Sequence, residues 1–183
     1  RLVRNAVDLE RFVPIQRSDI PTVVFPGGQV PRKGLRVAVE ALRHLSGVEL
    51  VVLGKVDSGL QRWALEHNSR VRFVGQIDDP ERIIGAAHAL ILPTLYDPSS
   101  NAVLEAMACG VPPVTTEYDG SAELLPHPWM AIADPLDAHG FAEVLMTVMN
   151  DPHLGDTCRN IVLNHSTNAC FGSLLAVMME CGT

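Results

Sequence analysis

The chain has 183 residues, of which 47% are hydrophobic and 19% are charged, and its formal net charge is −7. This length favours one folded domain, and the balance of apolar and charged residues is that of a globular protein and excludes a disordered one. With only 14 lysine and arginine residues, the chain lacks the basic excess of a nucleic-acid binder and gives no support for a surface that binds anionic lipid.

Neither membrane insertion nor metal binding is indicated by the pattern. No apolar run approaches the roughly 20 residues that cross a bilayer, and residues 1–5 lack the features of a signal peptide. The four cysteines lack the spacing of metal ligands and are typical of reduced structural thiols in a cytosolic protein, and the seven histidines are scattered. We therefore expect a cytoplasmic protein that uses neither a metal nor a cofactor.

The first part of the chain alternates short apolar runs with amphipathic segments. Residues 1–14 are interpreted as a linker that leads into a folded domain over residues 15–183. Short apolar or β-branched runs that end at proline or glycine predict strands at residues 22–25, 49–53 and 71–74. Helical periodicity predicts helices at residues 35–45, 59–67 and 80–87.

Residues 89–123 form the most informative stretch of the sequence. They predict a buried strand at residues 89–92, a polar loop at residues 96–101, a helix at residues 102–109 that ends at Gly110, and a second strand at residues 111–115. Beyond this stretch, the pattern predicts a strand at residues 129–132 and helices at residues 137–149, 152–164 and 170–179.

Strands that alternate with helices predict an α/β fold with a doubly wound parallel sheet, similar to the Rossmann fold. In such sheets the ligand binds outside the carboxyl ends of the strands. The turns after Phe25, Val74 and Leu92 all face that edge. Motifs that lie dozens of residues apart in the sequence are therefore expected to converge there.

The polar loop before residue 102 opens onto a helix N-terminus, whose unpaired N–H groups and partial positive charge favour a phosphate. Asp97 precedes this helix, and Glu105 lies about one turn into it. Carboxylates accept hydrogen bonds from vicinal hydroxyls, so this arrangement suits a ligand with hydroxyls on both sides of a phosphate. The stretch therefore predicts a site for a sugar nucleotide.

The same stretch resembles the signature of family 4 of the GT-B glycosyltransferases. The matching residues are Asp97, Glu105 within Leu104-Glu105-Ala106-Met107-Ala108, then Gly110-Val111-Pro112, then Gly120-Ser121-Ala122-Glu123. Residues 5–12 are similar to the family's crossing between its two domains, with Ala6 in place of a glycine. The resemblance implies that the chain is the C-terminal half of a GT-B fold, which binds the donor, and that the N-terminal acceptor domain is absent from it.

The resemblance also implies which residues hold the diphosphate and the sugar. Arg32 and Lys33 follow the Gly27-Gly28 turn and would hold the diphosphate. A glycine, five residues and Lys-Gly is a spacing close to that of lipopolysaccharide-core hexosyltransferases. Asp97 would orient the donor sugar, so that Arg32, Lys33 and Asp97 are the catalytic candidates.

Further donor-binding residues follow from the same resemblance. Glu105 would bind the ribose hydroxyls, and Gln76 with Ile77 would line the pocket for the base. The loop residues whose backbone N–H groups would bind phosphate or sugar are Ser99, Ser100, Asn101 and Ala102. One of the two serines is also expected to cap the helix.

The implied activity is the transfer of a sugar from a nucleotide diphosphate sugar to an acceptor hydroxyl, with retained anomeric configuration and without a metal. The acceptor, a glycan or lipid-linked glycan of surface or lipopolysaccharide biosynthesis, would bind through the absent domain, as would any membrane. Three positions depart from the family's pattern: the glycine turn has no additional arginine, Asp97 stands where most relatives have glutamate, and Pro113 replaces valine in a strand. This chain alone is expected to be inactive.

Three other interpretations remain open at this point. A dinucleotide-dependent oxidoreductase shares the strand, glycine turn and helix, but the sequence lacks Gly-x-Gly-x-x-Gly after its first strand. A sugar-nucleotide epimerase or phosphorylase shares the GT-B architecture, although residues 104–108 disfavour it. A non-catalytic nucleotide-binding or scaffold module of the same fold is the third alternative, since Asp97 and the missing arginine leave room for it.

Overall fold

Parallel strands build the centre of the protein in a computed structural model that describes residues 5–27, 31–167 and 170. The strands are β1 (Thr22–Phe25), β2 (Glu49–Leu53), β3 (Val71–Gly75), β4 (Ala89–Ile91), β5 (Pro113–Thr116) and β6 (Ala131–Ile132). Their order across the sheet is β3-β2-β1-β4-β5-β6, and every neighbouring pair is parallel. The predicted doubly wound parallel fold is confirmed.

Helices cover both faces of this sheet. They are α1 (Leu35–Arg43), α2 (Ser58–His67), α3 (Pro80–Ala86), α4 (Asn101–Ala108), α5 (Ala138–Asn150) and α6 (Leu154–Val162). Helix α1 packs against α2 and α5 on one face, and α4 packs against α3 and α6 on the other. Because both faces are covered, β1, β4 and β5 are buried at every residue, as is typical of parallel sheets.

The strand order places a topological switch between β1 and β4. From β1 the chain winds outward to β2 and β3, and then returns to β4 on the other side of β1. The helices that follow β1 and β4 therefore lie on opposite faces of the sheet, and this point of the carboxyl edge is where open α/β sheets bind ligands.

The strand predicted at residues 111–115 begins two residues later, at Pro113. Gly110 is in the left-handed conformation with φ of 70°, and it closes α4 with a Schellman motif. Its N–H donates to Met107 O over 3.0 Å, and the Val111 N–H donates to Ala106 O over 2.8 Å. Val111 therefore belongs to the end of the helix and not to the strand.

Pro113 is compatible with an inner strand because of its place at the start of β5. On the β4 side, Leu90 N donates to Pro112 O over 3.0 Å and Leu92 N donates to Val114 O over 2.9 Å. On the other side, β6 pairs with β5 only from Thr115 onward. No neighbouring strand therefore needs a donor from Pro113, and the first residue of a strand is where proline is tolerated.

Two more predicted elements differ from the structure, and one lies outside its description. The strand predicted at residues 129–132 is shortened to β6, since Pro128–Met130 forms a 3-10 turn. The helix predicted at residues 152–164 is α6, followed by the 3-10 turn Leu163–His165. The helix predicted at residues 170–179 lies outside the described residues except for its first position. No helix within the described ranges combines the length and the apolarity that a bilayer crossing needs.

The described part of the segment interpreted as a linker, residues 5–14, packs on the domain. Val7 N donates to His165 O over 3.0 Å, and the side chains of Val7 and Phe12 are buried in the core. Arg159 Nη1 donates to Phe12 O over 3.2 Å and also to Ala108 O at the end of α4. The linker role of residues 1–14 stays a prediction, but residues 5–14 contribute to the fold.

Gly34 lets the chain enter α1 beside the loop after β4. It has a φ of +76°, and a Cβ built on it would lie 2.1 Å from Pro93 O. We expect Gly34→Ala to lower the free energy of unfolding by more than about 2 kcal/mol, since the left-handed backbone alone costs an L residue roughly 1–2 kcal/mol. Urea denaturation measures the loss.

Gly47→Ala is the matched control for this substitution. Gly47 has a φ of +73°, but a Cβ there would meet no atom within 4 Å. Gly47→Ala should therefore lower the free energy of unfolding only by the roughly 1–2 kcal/mol that a left-handed backbone costs an L residue. Equal losses for the two variants would contradict the close approach of Gly34 to Pro93.

Candidate functional site

The loops after β1 and β4 meet at the switch point through backbone contacts. Leu95 N donates to Arg32 O over 2.7 Å, and Thr94 Oγ1 donates to the same oxygen over 3.3 Å. Arg32 lies in the 3-10 turn Pro31–Lys33, directly before α1. The contact brings the two predicted cations of one loop next to the predicted carboxylate of the other.

Arg32 and Asp97 form an ion pair at this junction. Arg32 Nη1 lies 3.2 Å from Asp97 Oδ2, and it also donates to Tyr96 O. The second carboxylate oxygen, Asp97 Oδ1, accepts from Ser99 N over 3.3 Å. Asp97 is nearly buried while Arg32 is partly exposed, so the guanidinium is the member of the pair that faces solvent.

Lys33 is a partly buried ammonium with unused hydrogen-bonding capacity. Its Nζ donates to Pro26 O over 3.1 Å, which uses one of its three N–H groups. Burial lowers the pKa of Lys33, while the carboxylates of Asp97, Glu105 and Asp119 act in the opposite direction. Because an anion in contact with Nζ would offset the burial, this position favours a negatively charged ligand.

The N-terminus of α4 is the second anion-binding feature of the edge. Ser100 stands at the N-cap in an extended conformation, and its side chain makes no capping hydrogen bond. The expectation that one of the two serines is the N-cap is therefore confirmed, but the side chain of Ser100 leaves the N–H groups of the first turn free of a capping bond. The N–H groups of the first turn have no acceptor within the helix, and they are donors that a phosphate can use.

Glu105 lies one turn into α4 and is partly buried. No described group donates a hydrogen bond to its carboxylate. Burial raises the pKa of Glu105, and Arg11 and Lys33 lower it. A partly desolvated carboxylate without donors is an acceptor that ligand hydroxyls can satisfy.

The remaining predicted residues contribute less to this cluster. Gln76 and Ile77 follow edge strand β3 at the far end of the same edge; Gln76 is exposed and Ile77 packs against the core. The fold itself requires a glycine at position 27, since a Cβ there would lie 1.8 Å from Leu53 O. Gly28 lies outside the described residues.

Two residues that the sequence did not single out hold the loop before α4. Asp119 accepts a hydrogen bond from Ser100 N over 3.2 Å. Asn5 Nδ2 donates to Ser99 O over 3.0 Å and to Asn101 Oδ1 over 2.9 Å. An Asp-Gly pair at positions 119 and 120 signals only a turn, and the pattern of residues 5–12 assigned Asn5 to the crossing between domains and not to the site.

A cavity of about 820 Å³ lies beside these residues and not between them. Its lining is mostly apolar and includes Phe25, Gly34, Leu35, Pro93, Leu95 and Leu136. It sits on the α1 face of the sheet, whereas Glu105 is on α4 at the opposite face. The predicted residues thus line an open edge of the sheet. Along residues 5–27, 31–167 and 170, no three His, Cys, Asp or Glu side chains are grouped to hold a metal ion.

Comparisons with known proteins match this chain to sugar-transferring enzymes. The sequence profile of the family described as "Glycosyl transferases group 1" matches residues 20–151. The lipopolysaccharide core biosynthesis glycosyltransferase LpsE of Rhizobium meliloti (strain 1021) is 30% identical over 165 residues, which are 84% of this chain and 48% of LpsE.

Solved structures agree on the fold. The sucrose-phosphate synthase of Thermosynechococcus elongatus has 25% identity and a TM-score of 0.85, over 99% of this chain and 53% of that one. The Anabaena protein Alr3699/HepE in complex with UDP and glucose has 18% identity and a TM-score of 0.81, over 98% of this chain and 56% of that one. The chain spans about half the length of each of these three proteins.

The raised pKa of Glu105 generates a prediction about stability. Its ionised form is disfavoured in the folded state, so the glutamate supports folding most below its ordinary pKa of 4.5 and this support is lost as the pH rises through the folded-state pKa. We expect Glu105→Gln to raise the melting temperature at pH 7, and the gain to vanish below about pH 4. Calorimetric melting across this pH range measures the effect.

Glu66→Gln is the control, because Glu66 is an exposed glutamate on α2. This substitution should leave the melting temperature unchanged across the same range. An equal gain in both variants would assign the effect to net charge and not to burial at Glu105.

Proposed function

This chain belongs to the glycosyl transferases of group 1, and we propose that it is the donor-binding half of a sugar-transferring enzyme. The enzyme would transfer a sugar from a nucleotide diphosphate sugar to an acceptor hydroxyl. The observation that carries the proposal is the convergence of Lys33, the α4 N-terminus and Glu105 at the switch point of the sheet. The relatives support it, since LpsE is a core glycosyltransferase and the Anabaena protein was solved with UDP and glucose.

The diphosphate is assigned to Lys33 and to the first turn of α4. The bond from the anomeric carbon to the diphosphate breaks during transfer, and negative charge builds on the leaving nucleotide. Fixed positive groups aimed at that charge stabilise the transition state. Lys33 supplies a desolvated ammonium, and α4 supplies N–H groups with the positive end of its dipole. In this scheme the chain needs no metal to neutralise the diphosphate.

The nucleoside is assigned to Glu105 and to the loop after β3. The Glu105 carboxylate, to which no described group donates a hydrogen bond, would accept hydrogen bonds from the two ribose hydroxyls. Gln76 and Ile77 would contact the base. Burying the hydroxyls against the carboxylate satisfies both partners, which makes this contact a source of affinity.

The donor sugar is assigned to Asp97, with Arg32 beside it. Arg32 Nη1 donates a hydrogen bond to Asp97 Oδ2. The partly exposed guanidinium can also bind a phosphate. We assign Arg32 to the diphosphate and Asp97 to the sugar hydroxyls. The backbone N–H groups of Asn101 and Ala102 complete this part of the site, since those of Ser99 and Ser100 donate to Asp97 and Asp119. We further propose that transfer retains the anomeric configuration.

We assign acceptor binding to the part of the relatives that this chain does not match. A glycan or lipid-linked glycan of surface or lipopolysaccharide biosynthesis is the proposed acceptor, by analogy with the lipopolysaccharide core glycosyltransferase LpsE. We place the enzyme in the cytoplasm, with any membrane contact outside this chain. The chain alone should bind the nucleotide and transfer no sugar, because the acceptor site is not part of it.

A non-catalytic nucleotide-binding module is the second candidate. It is favoured by one observation, namely that both oxygens of Asp97 are already occupied by Arg32 and Ser99. Asp97→Asn in the full-length protein separates the two functions. If the chain is part of a transferase, the rate of sugar transfer should fall at least tenfold. This fall corresponds to the free energy of about one charge-assisted hydrogen bond. Unchanged transfer would contradict the role assigned to Asp97, and a parent protein that binds the nucleotide but transfers no sugar would favour the non-catalytic module.

Lys33→Ala tests the diphosphate assignment in this chain. We expect the affinity for a nucleoside diphosphate to fall about tenfold to a hundredfold, because a hydrogen bond to a charged group is worth about 1.5–3 kcal/mol. Thermal shift against UDP, ADP and GDP, with their hexose conjugates and NAD, identifies the base; titration calorimetry of the best ligand then measures the loss.

Lys55→Ala is the matched control, since Lys55 is an exposed lysine that follows β2 at the same edge. It removes the same charge and should leave the affinity unchanged. Equal weakening by both variants would reduce the effect to net charge. A shift with NAD and with no nucleoside diphosphate would contradict the proposed function.

A further inference from the structure

Asp119 is a charged residue buried beneath the candidate site. Its relative exposure is 1%, and it lies in the loop between β5 and the 3-10 turn Gly120–Leu124. Oδ1 accepts from Ser121 N over 2.9 Å and from Ser121 Oγ over 2.5 Å. Oδ2 lies 3.0 Å from Thr115 Oγ1. A carboxylate this deeply buried is maintained only where its hydrogen bonds are made.

One hydrogen bond of Asp119 joins it to a part of the chain that is distant in sequence. Ser100 N donates to Oδ1 over 3.2 Å, across 19 residues of sequence. Ser100 is the N-cap of α4, and its own side chain does not cap the helix. Asp119 thus ties the start of α4 to the loop after β5.

The backbone around Asp119 reinforces this tie. Residues 97–101, here named the donor loop, pair with the loop after β5: Asp97 N donates to Tyr118 O over 3.0 Å, and Gly120 N donates to Asp97 O over 2.9 Å. A Cβ on Gly120 would lie 2.0 Å from Pro98 O. The two loops therefore touch along their backbones, and Asp119 is the side chain that joins them.

We propose that Asp119 is a positioning residue for the donor loop. It holds the Ser100 amide, and so the first turn of α4, at the place where the proposed function puts the diphosphate. The inference rests on that proposed function for its consequence, but the tie itself is independent of any ligand.

The role is geometric and not electrostatic. A negative charge next to a phosphate opposes binding. The charge of Asp119 also favours the ammonium of Lys33, but it is the smallest of the influences on the pKa of that group. Asparagine can reproduce the contacts: its oxygen accepts from Ser100 N and Ser121 N, and its amide group can donate to Thr115 Oγ1. Thr115 Oγ1 then keeps its hydrogen bond to Leu92 O, whose oxygen lies 3.0 Å away. Alanine leaves the two amides buried without an acceptor.

The test compares Asp119→Asn and Asp119→Ala in this chain by two measurements. Hydrogen exchange followed by NMR reports the amides of Ser100 and Ser121 without a ligand. Titration with UDP, or with the nucleoside diphosphate that binds best, reports the affinity at a temperature where each variant is folded. Val48→Ala is the stability control, because Val48 is buried at the amino end of β2, away from this edge.

The asparagine variant should keep slow exchange at both amides and bind at least as tightly as the parent chain. The alanine variant should exchange at least about tenfold faster at both amides and bind about tenfold more weakly, a change that corresponds to one lost buried hydrogen bond. The Val48→Ala variant should lose stability but keep the affinity of its folded form.

Unchanged exchange or unchanged affinity in Asp119→Ala would overturn the inference, as would equal weakening in Asp119→Asn. If the parent chain binds no nucleoside diphosphate while the exchange results are as expected, the proposed function fails and the tie between the two loops stands.

Discussion

The pairing of the loop after β4 with the loop after β5 is the interaction on which the candidate site depends. Two backbone hydrogen bonds of Asp97 and the Ser100–Asp119 contact continue the parallel pairing of β4 and β5 beyond the ends of the strands. Since Asp97 lies in this paired segment and α4 directly follows it, the position of the segment sets where the predicted carboxylates and the helix N-terminus lie. The contact of Arg32 O with Leu95 N then brings the loop after β1 to the same place.

Two charged groups of this edge are partly buried at a cost to their ionised forms. Burial disfavours the charged forms of both Lys33 and Glu105. Elsewhere, two arginines serve the fold: Arg17 and Arg159 donate to backbone carbonyls near the ends of α3 and α4, where cations are favourable. Cys109 and Cys158 are buried thiols whose pKa burial raises to about 12, consistent with structural cysteines.

Much of the fold was predictable, because short apolar runs that end at proline or glycine separate the buried strands from helices with a 3.6-residue period, and parallel strands bring their carboxyl ends to one edge. The same logic placed Arg32, Lys33, Asp97 and Glu105 together. What escaped were contacts that depend on the order of strands in space. Asp119 meets Ser100 only because β4 and β5 are neighbours, and Asn5 reaches Ser99 across 94 residues. The start of β5 also differs from the prediction, because Val111 belongs to the Schellman motif that ends α4 and not to the strand.

A crystal structure of this chain with bound UDP would test the central claim most directly. The account predicts the diphosphate within hydrogen-bond distance of Lys33 Nζ and of the first-turn amides of α4, with the ribose hydroxyls on Glu105. UDP bound in the apolar cavity beside α1, or with its ribose away from Glu105, would contradict it.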